Sequence, residues 1–80
     1  MVNRATPVDK SIVHNPQTWP GETLCLKRYG VGQYLGFGVI LNSEEPVTIY
    51  LRGDHPGEDF KLTKQYPTFD DMFNDGWVVD

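Results

Sequence analysis

The residue types that can carry out nucleophilic or metal chemistry are few in this chain of 80 residues. They are a single cysteine, Cys25, two histidines, His14 and His55, and eleven carboxylates. A catalytic nucleophile needs a base beside it, and a zinc site typically shows paired Cys or His at short spacing. Neither pattern occurs, so we expect no enzyme activity, no catalytic residue, no metal site and no cofactor. Cys25 is interpreted as a small apolar strand residue.

The most glycine-rich segment, YGVGQYLGFGVIL at residues 29–41, raises the possibility of a phosphate-binding loop. Gly32, Gly36 and Gly38 have the G-x-x-x-G-x-G spacing of short-chain dehydrogenases. Phosphate binding also requires a following helix whose N-terminus faces the phosphate. The residues that follow, VILNSEEP, are β-branched at first and end at a proline, which does not fit a helix. The spacing therefore does not predict a nucleotide site.

The same segment has a second interpretation as a nucleic-acid-binding strand. LGFGVIL at residues 35–41 resembles the G-F-G-x-[VI] core of the RNP1 strand in cold-shock domains and RNA-recognition motifs. In those families bases stack on aromatic rings that flank the glycines. The resemblance implies that Phe37 is a stacking aromatic and that Tyr50, in VTIYL, is a second one. The positions where further aromatic and basic residues are expected hold Val39, Thr48 and Leu35.

A structural role for the glycines is the interpretation that we favour. Gly36 and Gly38 are two positions apart and therefore share one face of a strand. Glycine at alternate positions permits sharp coiling, or lets a large side chain such as Trp19 or Trp77 pack over the backbone. The preceding turn, where a positive φ is needed, is assigned to Gly30 and Gly32.

Period-two alternation predicts the strands of the domain. The apolar rows are Leu24 and Leu26; Leu35, Phe37, Val39 and Leu41; Val47, Ile49 and Leu51; and, in a shorter fourth strand, Phe60 and Leu62. Turn sequences separate the later rows, NSEEP at 42–46 and GDHPGED at 53–59. The fold class is therefore mainly β (α+β). It is a small antiparallel curled sheet of four to five strands, or an SH3/OB-like barrel, with one short C-terminal helix.

The chain ends are predicted from local signals. Thr68 can cap a helix that Gly76 ends, with Phe69, Met72 and Phe73 on one face, and residues 77–79 then form a closing strand or tail. Residues 1–20 contain three prolines and are predicted to be an extended arm rather than a helix, anchored by Trp19. Residues 21–80 then form a single small β-rich domain.

Composition limits the cellular context. The single cysteine forms no intrachain disulfide, which favours a reducing cytoplasm. Residues 1–10 lack the apolar core of a signal peptide, and the longest uncharged run, residues 29–43, is shorter than the ~20 apolar residues of a membrane span. We therefore expect a cytoplasmic protein without a membrane partner.

The net charge of −4 is unevenly distributed. Residues 1–53 hold five basic and four acidic side chains, whereas residues 54–80 hold two basic and seven acidic ones. An acidic balance argues against a nonspecific nucleic-acid binder, which needs a dense basic patch.

These observations predict a small non-catalytic binding protein. Tyrosine and arginine are enriched at protein interfaces, so we expect binding through Tyr29, Tyr34, Phe37, Tyr50 and Arg52. The expected partner is a larger protein, which the chain regulates, inhibits or accompanies as an accessory subunit. A homodimer through an exposed sheet edge is an open possibility. The alternative is a small OB/cold-shock-like barrel that binds single-stranded nucleic acid through Phe37 and Tyr50.

Overall fold

The computed structural model of the protein describes residues 3–52 and 60–80. The helices are α1 (Pro7–Val13), a short 3₁₀ helix (Pro16–Thr18) and α2 (Phe69–Asn74). The strands are β1 (Leu24–Gly30), β2 (Gln33–Ile40), β3 (Val47–Leu51), β4 (Leu62–Tyr66) and β5 (Trp77–Val79). They form one antiparallel sheet in the order β4-β3-β2-β1-β5. Since β4 and β5 are its two ends, the sheet is open, and the predicted mainly β fold with a short C-terminal helix is confirmed.

One face of the sheet, called here the inner face, carries the hydrophobic core. On β1 the inward side chains are Leu24 and Leu26, and on β3 they are Val47 and Ile49, all of them buried. The helices and the N-terminal segment complete this core with Phe69, Met72, Phe73, Val13 and Trp19. The predicted helix face of Phe69, Met72 and Phe73 is thereby confirmed.

Gly38 of β2 makes room for a tryptophan on the inner face. A Cβ at Gly38 would lie 2.5 Å from Ile49 Cγ2 and 3.3 Å from the Trp77 ring. The expectation that a tryptophan packs over this glycine is confirmed for Trp77. Because Gly36 and Gly38 alternate with larger residues, Phe37 and Val39 of the predicted row belong to the opposite face.

The β1–β2 hairpin differs from the prediction at one glycine. Gly32 has the expected positive φ of 71°. Gly30, which was also assigned to the turn, is instead the last residue of β1 and pairs with Gln33. A bulge between Arg28 and Tyr29 makes Leu35 an extra residue on β2. Gly30 is needed for another reason, since a Cβ there would lie 3.0 Å from Leu35 Cδ1.

The prediction of an extended N-terminal arm is wrong for Pro7–Val13 and Pro16–Thr18, which are helical. Thr6 caps α1 and forms a reciprocal capping box with Asp9, while Pro7 occupies the first helical position. Proline is well suited to that position, because the N–H that it lacks has no helical partner there. Trp19 is buried, as expected of an anchor, and its Nε1 donates a 2.7 Å hydrogen bond to Ile12 O. The N-terminal segment therefore contributes directly to the core through Val13 and Trp19.

The C-terminal elements follow the local signals. The Thr68 hydroxyl accepts a hydrogen bond from Asp71 N, and Gly76 follows α2 with a φ of 98°. Phe60, which was expected to begin the fourth strand, lies before it with a φ of 64°. The predicted turn GDHPGED, with His55, lies outside the described residues. None of the helices that the structure describes is long and apolar enough to cross a membrane.

Candidate functional site

Strand register gathers aromatic and basic side chains on the face of the sheet opposite the core. Phe37 lies opposite Lys27, and Val39 lies opposite both Cys25 on β1 and Tyr50 on β3. Because successive side chains alternate between faces, these residues all point away from the inner face. We call this surface the outer face and define it by Cys25, Lys27, Tyr29, Phe37, Val39, Thr48, Tyr50, Arg52, Thr63 and Gln65.

Four of the five predicted binding residues lie on the outer face. Phe37 is 36% exposed, and the Arg52 guanidinium lies 5.9 Å from the centre of its ring. The backbones of the same two residues are also in contact, since Arg52 N donates a 3.0 Å hydrogen bond to Phe37 O. Tyr50 is on the neighbouring strand. Tyr34 lies opposite Tyr29 in the register, but its side chain is outside the described part of the structure.

Tyr29 lies where two cations approach the outer face. The Arg4 guanidinium lies 5.1 Å from the centre of its ring and Lys27 Nζ lies 5.8 Å from it. Lys27 Nζ also lies 3.5 Å from the Asp80 carboxylate. The Tyr29 hydroxyl group has the largest effect and raises the pKa of Lys27, desolvation opposes it, and the hydrogen bond and charge of Asp80 raise it further. This corner of the outer face is therefore cationic, although the chain as a whole is acidic.

A cavity of about 320 Å³ opens on the outer face. Its lining residues are Cys25, Phe37, Gly38, Val39, Arg52, Phe60 and Asp80. Cys25, which was expected to behave as a small apolar residue, is exposed here. The reason is the register, which places Cys25 opposite Val39 on the side of the sheet away from the core.

A second, more polar depression of about 220 Å³ lies beside Tyr50. Its other lining residues are Leu41, Asn42, Glu44, Glu45, Pro46 and Thr48. Tyr50 therefore shares its surroundings with two carboxylates. One of them, Glu45, accepts a 2.6 Å hydrogen bond from Phe69 N at the start of α2.

A cluster around Asp75, which was not predicted, is the densest polar network of the described residues. The Asp75 carboxylate accepts a 2.5 Å hydrogen bond from the Tyr66 hydroxyl and lies 3.0 Å from Arg28 Nη2 and 3.2 Å from Lys64 Nζ. Arg28 Nε also donates to Asp75 O, and Trp77 Nε1 donates to the Tyr66 hydroxyl at 3.0 Å. Three strands (β1, β4 and β5) and the end of α2 thus meet at a single carboxylate or its immediate partners.

The pKa values in this cluster favour a structural role. Burial alone would raise the pKa of Asp75, but hydrogen bonds from Tyr66, Lys64 and Arg28 outweigh it and hold the pKa below its ordinary value. Burial, followed by the hydrogen bond to Asp75, raises the pKa of Tyr66. Asp75 therefore stays ionised and Tyr66 stays neutral near pH 7, which makes them a stable donor–acceptor pair.

Sequence reasoning did not find Lys27, Val39, Phe60 and Asp80 as neighbours of Phe37. The alternation along β1 already indicates which residues share a face, because it places Cys25 and Lys27 on the side opposite Leu24 and Leu26. The register was needed to place that outward row beside Phe37. Asp80 follows β5, and its position depends on the pairing of β5 with β1.

Across residues 3–52 and 60–80 no group of three or more His, Cys, Asp or Glu side chains is arranged to hold a metal ion. Comparison of the chain with protein-family models, with curated proteins and with solved structures returned no significant match.

Proposed function

We propose that this chain is a non-catalytic binding protein that engages a larger protein through its outer face, as a regulator, accessory subunit or inhibitor. The observation that carries the proposal is the convergence of Tyr29, Phe37, Tyr50 and Arg52 on one sheet face beside a cavity. Aromatic side chains and arginine provide most of the binding energy at protein interfaces when they surround a concave site. Because β1, β2 and β3 hold these side chains in place, little ordering cost is expected on binding.

Single-stranded nucleic acid is the second candidate ligand. It is favoured by one observation, since Phe37 and Tyr50 occupy the same face of adjacent strands. The charges nearby favour protein instead. Phe37 shares its cavity with Asp80, and Tyr50 shares its depression with Glu44 and Glu45. A phosphate backbone that followed the stacked bases would approach these carboxylates, which weakens binding.

We propose that the protein is cytoplasmic. A homodimer is the alternative in which the partner recovered by affinity purification is a second copy of this chain. A reducing compartment suits the exposed thiol of Cys25, the sole cysteine of the chain. The open sheet offers a second copy two edges, β4 and β5, and β4 is the longer of them. Its Lys64 points toward the inner face, and inward charges are a device by which edge strands resist pairing.

Affinity purification tests the proposal directly. The tagged full chain is recovered from its native host, and proteins and nucleic acids bound to it are identified by mass spectrometry and sequencing. Tyr50→Ala removes an aromatic from the outer face, whereas Val31→Ala removes exposed apolar surface in the β1–β2 turn and serves as the control. We expect a protein that is recovered with the wild type and the control and lost with Tyr50→Ala. Recovery of no protein, or of the same proteins with all three, contradicts the proposal.

An oligonucleotide titration tests the second candidate. Labelled single-stranded DNA and RNA are titrated with the wild type and with Phe37→Ala at low and at moderate salt. We expect no saturable binding at either salt concentration. Salt-sensitive binding that Phe37→Ala abolishes would show that the ligand of the outer face is nucleic acid and would contradict the proposed protein partner.

A further inference from the structure

We propose that the polar depression beside Tyr50 binds the guanidinium group of an arginine side chain from the partner protein. The inference rests on the proposed function and deepens it by naming the chemistry of one anchor residue of the partner. The depression lies where the turn between β2 and β3 meets the outer face, and Tyr50, Glu44 and Glu45 are among the residues that line it.

The size of the depression suits one side chain. Its volume of about 220 Å³ lies below the ~300–1,000 Å³ of sites that enclose a whole small-molecule ligand. Leu41, which is 50% exposed, and Pro46 contribute hydrocarbon to a lining that is otherwise mostly polar. A long side chain with an apolar stem and a charged head matches this mixture, because the stem covers hydrocarbon while the head remains with polar groups.

The negative charge of the depression is not balanced by this chain. All seven lysine and arginine residues lie within the described residues 3–52 and 60–80, and none of them lines the depression or forms an ion pair with Glu44 or Glu45. Charge complementarity across an interface therefore calls for a positively charged group of the partner at this position.

The turn that carries the two carboxylates is held in place by hydrogen bonds. Glu45 accepts a 2.6 Å hydrogen bond from Phe69 N, and Glu44 N donates a 3.0 Å hydrogen bond to Asn42 Oδ1. The carboxylate of Glu44 itself forms no hydrogen bond or ion pair with the residues that the structure describes. Glu44 is therefore the main acceptor for a guanidinium, and the backbone around it needs little ordering on binding.

Tyr50 favours arginine over other cations. A planar guanidinium stacks on an aromatic ring while its edge donates hydrogen bonds to a carboxylate, whereas an ammonium group is a compact, strongly hydrated charge. The Tyr50 hydroxyl has no hydrogen bond to any described residue and can accept one from the guanidinium. A bound metal ion is a poorer occupant, because the described residues contain no group of three or more side chains that could ligate it.

Small arginine compounds test the depression before the partner is known. N-acetyl-arginine amide is titrated into the isotope-labelled full chain, and amide chemical shifts are followed by NMR. The lysine analogue and the uncharged citrulline analogue are titrated in parallel. We expect saturable shifts centred on Asn42, Glu44 and Tyr50, with a dissociation constant on the order of 1 mM, weaker binding of lysine and none of citrulline. The absence of saturable shifts at these residues, or equal binding of lysine or citrulline, overturns the inference.

Two variants separate the charge of the site from its ring. Glu44→Gln keeps the shape of the side chain and is expected to weaken arginine binding about fivefold, the effect of an exposed ion pair with good geometry. Glu22→Gln is the matched control, since Glu22 is an exposed carboxylate before β1 and its loss changes the net charge equally. Tyr50→Leu keeps apolar bulk without the ring and is expected to weaken binding about two- to fivefold. Urea unfolding confirms that each variant folds. Equal effects of Glu44→Gln and Glu22→Gln, or full binding by Tyr50→Leu, contradict the assignment.

Natural partners from the affinity purification distinguish this inference from the proposed function. A protein that is lost with Tyr50→Ala and with Glu44→Gln, and retained with Glu22→Gln, supports both. A protein that Tyr50→Ala releases and Glu44→Gln leaves bound overturns this inference while it supports the proposed function. Arginine binding in the titration without recovery of any protein supports the arginine site and contradicts the proposed function.

Discussion

The hydroxyl of Tyr66 on β4 donates a 2.5 Å hydrogen bond to the carboxylate of Asp75, the residue that follows α2. The same hydroxyl accepts a hydrogen bond from Trp77 Nε1 on β5. β4 and β5 are the two ends of the sheet order and are not neighbours. Side chains on the inner face therefore connect the ends of an open sheet, which helps a small core to hold its curvature.

Removal of the Tyr66 hydroxyl tests this connection. In Tyr66→Phe the Asp75 carboxylate loses a donor and Trp77 Nε1 loses its acceptor. We expect the free energy of unfolding to fall by about 2 kcal/mol, because a buried donor is left unsatisfied beside a charged acceptor that has lost a contact. Urea unfolding measures the change. Tyr50→Phe, on the outer face, is the control and is expected to stay within about 0.5 kcal/mol of the wild type. Equal effects of the two variants would argue against a structural role for the cluster.

The lowered pKa of Asp75 predicts an acid-dependent contribution to stability. Since the pKa in the folded state lies below the ordinary value of 3.8, the ionised form stabilises the fold above that value. This contribution is lost as the pH falls through the folded-state pKa. The stability difference between the wild type and Asp75→Asn should therefore shrink between about pH 5 and pH 2. Urea unfolding at several pH values measures it, and a difference that does not change with pH contradicts the prediction.

Gly38→Ala and Gly36→Ala form a matched pair on one strand. A Cβ at Gly38 would meet Ile49 Cγ2 at 2.5 Å and Tyr50 O at 3.1 Å, whereas nothing lies within 4 Å of a Cβ at Gly36. Gly38→Ala is expected to destabilise the protein by about 1–3 kcal/mol through overpacking. Gly36→Ala is expected to be neutral or to stabilise slightly, since it restricts the unfolded chain. Thermal unfolding compares them, and similar melting temperatures would contradict the packing of Trp77 over β2.

The contribution of the N-terminal segment to the core is tested at Trp19. Trp19→Ala removes a buried indole and its hydrogen bond to Ile12 O, and it is expected to cost about 3 kcal/mol. Val8→Ala on α1 removes a side chain that is mostly exposed, so it should change stability by less than about 0.5 kcal/mol. Chemical denaturation of both variants gives the comparison. Little change in Trp19→Ala would mean that residues 1–20 are not part of the folded core in solution.

The elements that the sequence predicted correctly are those whose signals lie within a few neighbouring residues. Thr68 and Gly76 marked the ends of α2 correctly, because capping and left-handed backbone geometry involve only residues within one turn. Alternation located β1, β2 and β3 for the same reason. The N-terminal helix α1 was missed although its signals, Thr6, Pro7 and Asp9, are equally local. Prolines were read there as helix breakers, whereas one of them begins the helix.

The sequence by itself determined the strands β1, β2 and β3, where α2 begins and ends, and that Phe37 and its aromatic neighbours are candidates for binding. Only the tertiary structure decided that Phe37, Arg52 and Asp80 share one cavity and that Asp75 joins β4 to β1. The physical reason is that strand register and sheet order minimise the free energy of the whole domain. Pairings between residues as distant as Arg28 and Asp75 depend on how every element packs, and no local pattern encodes them.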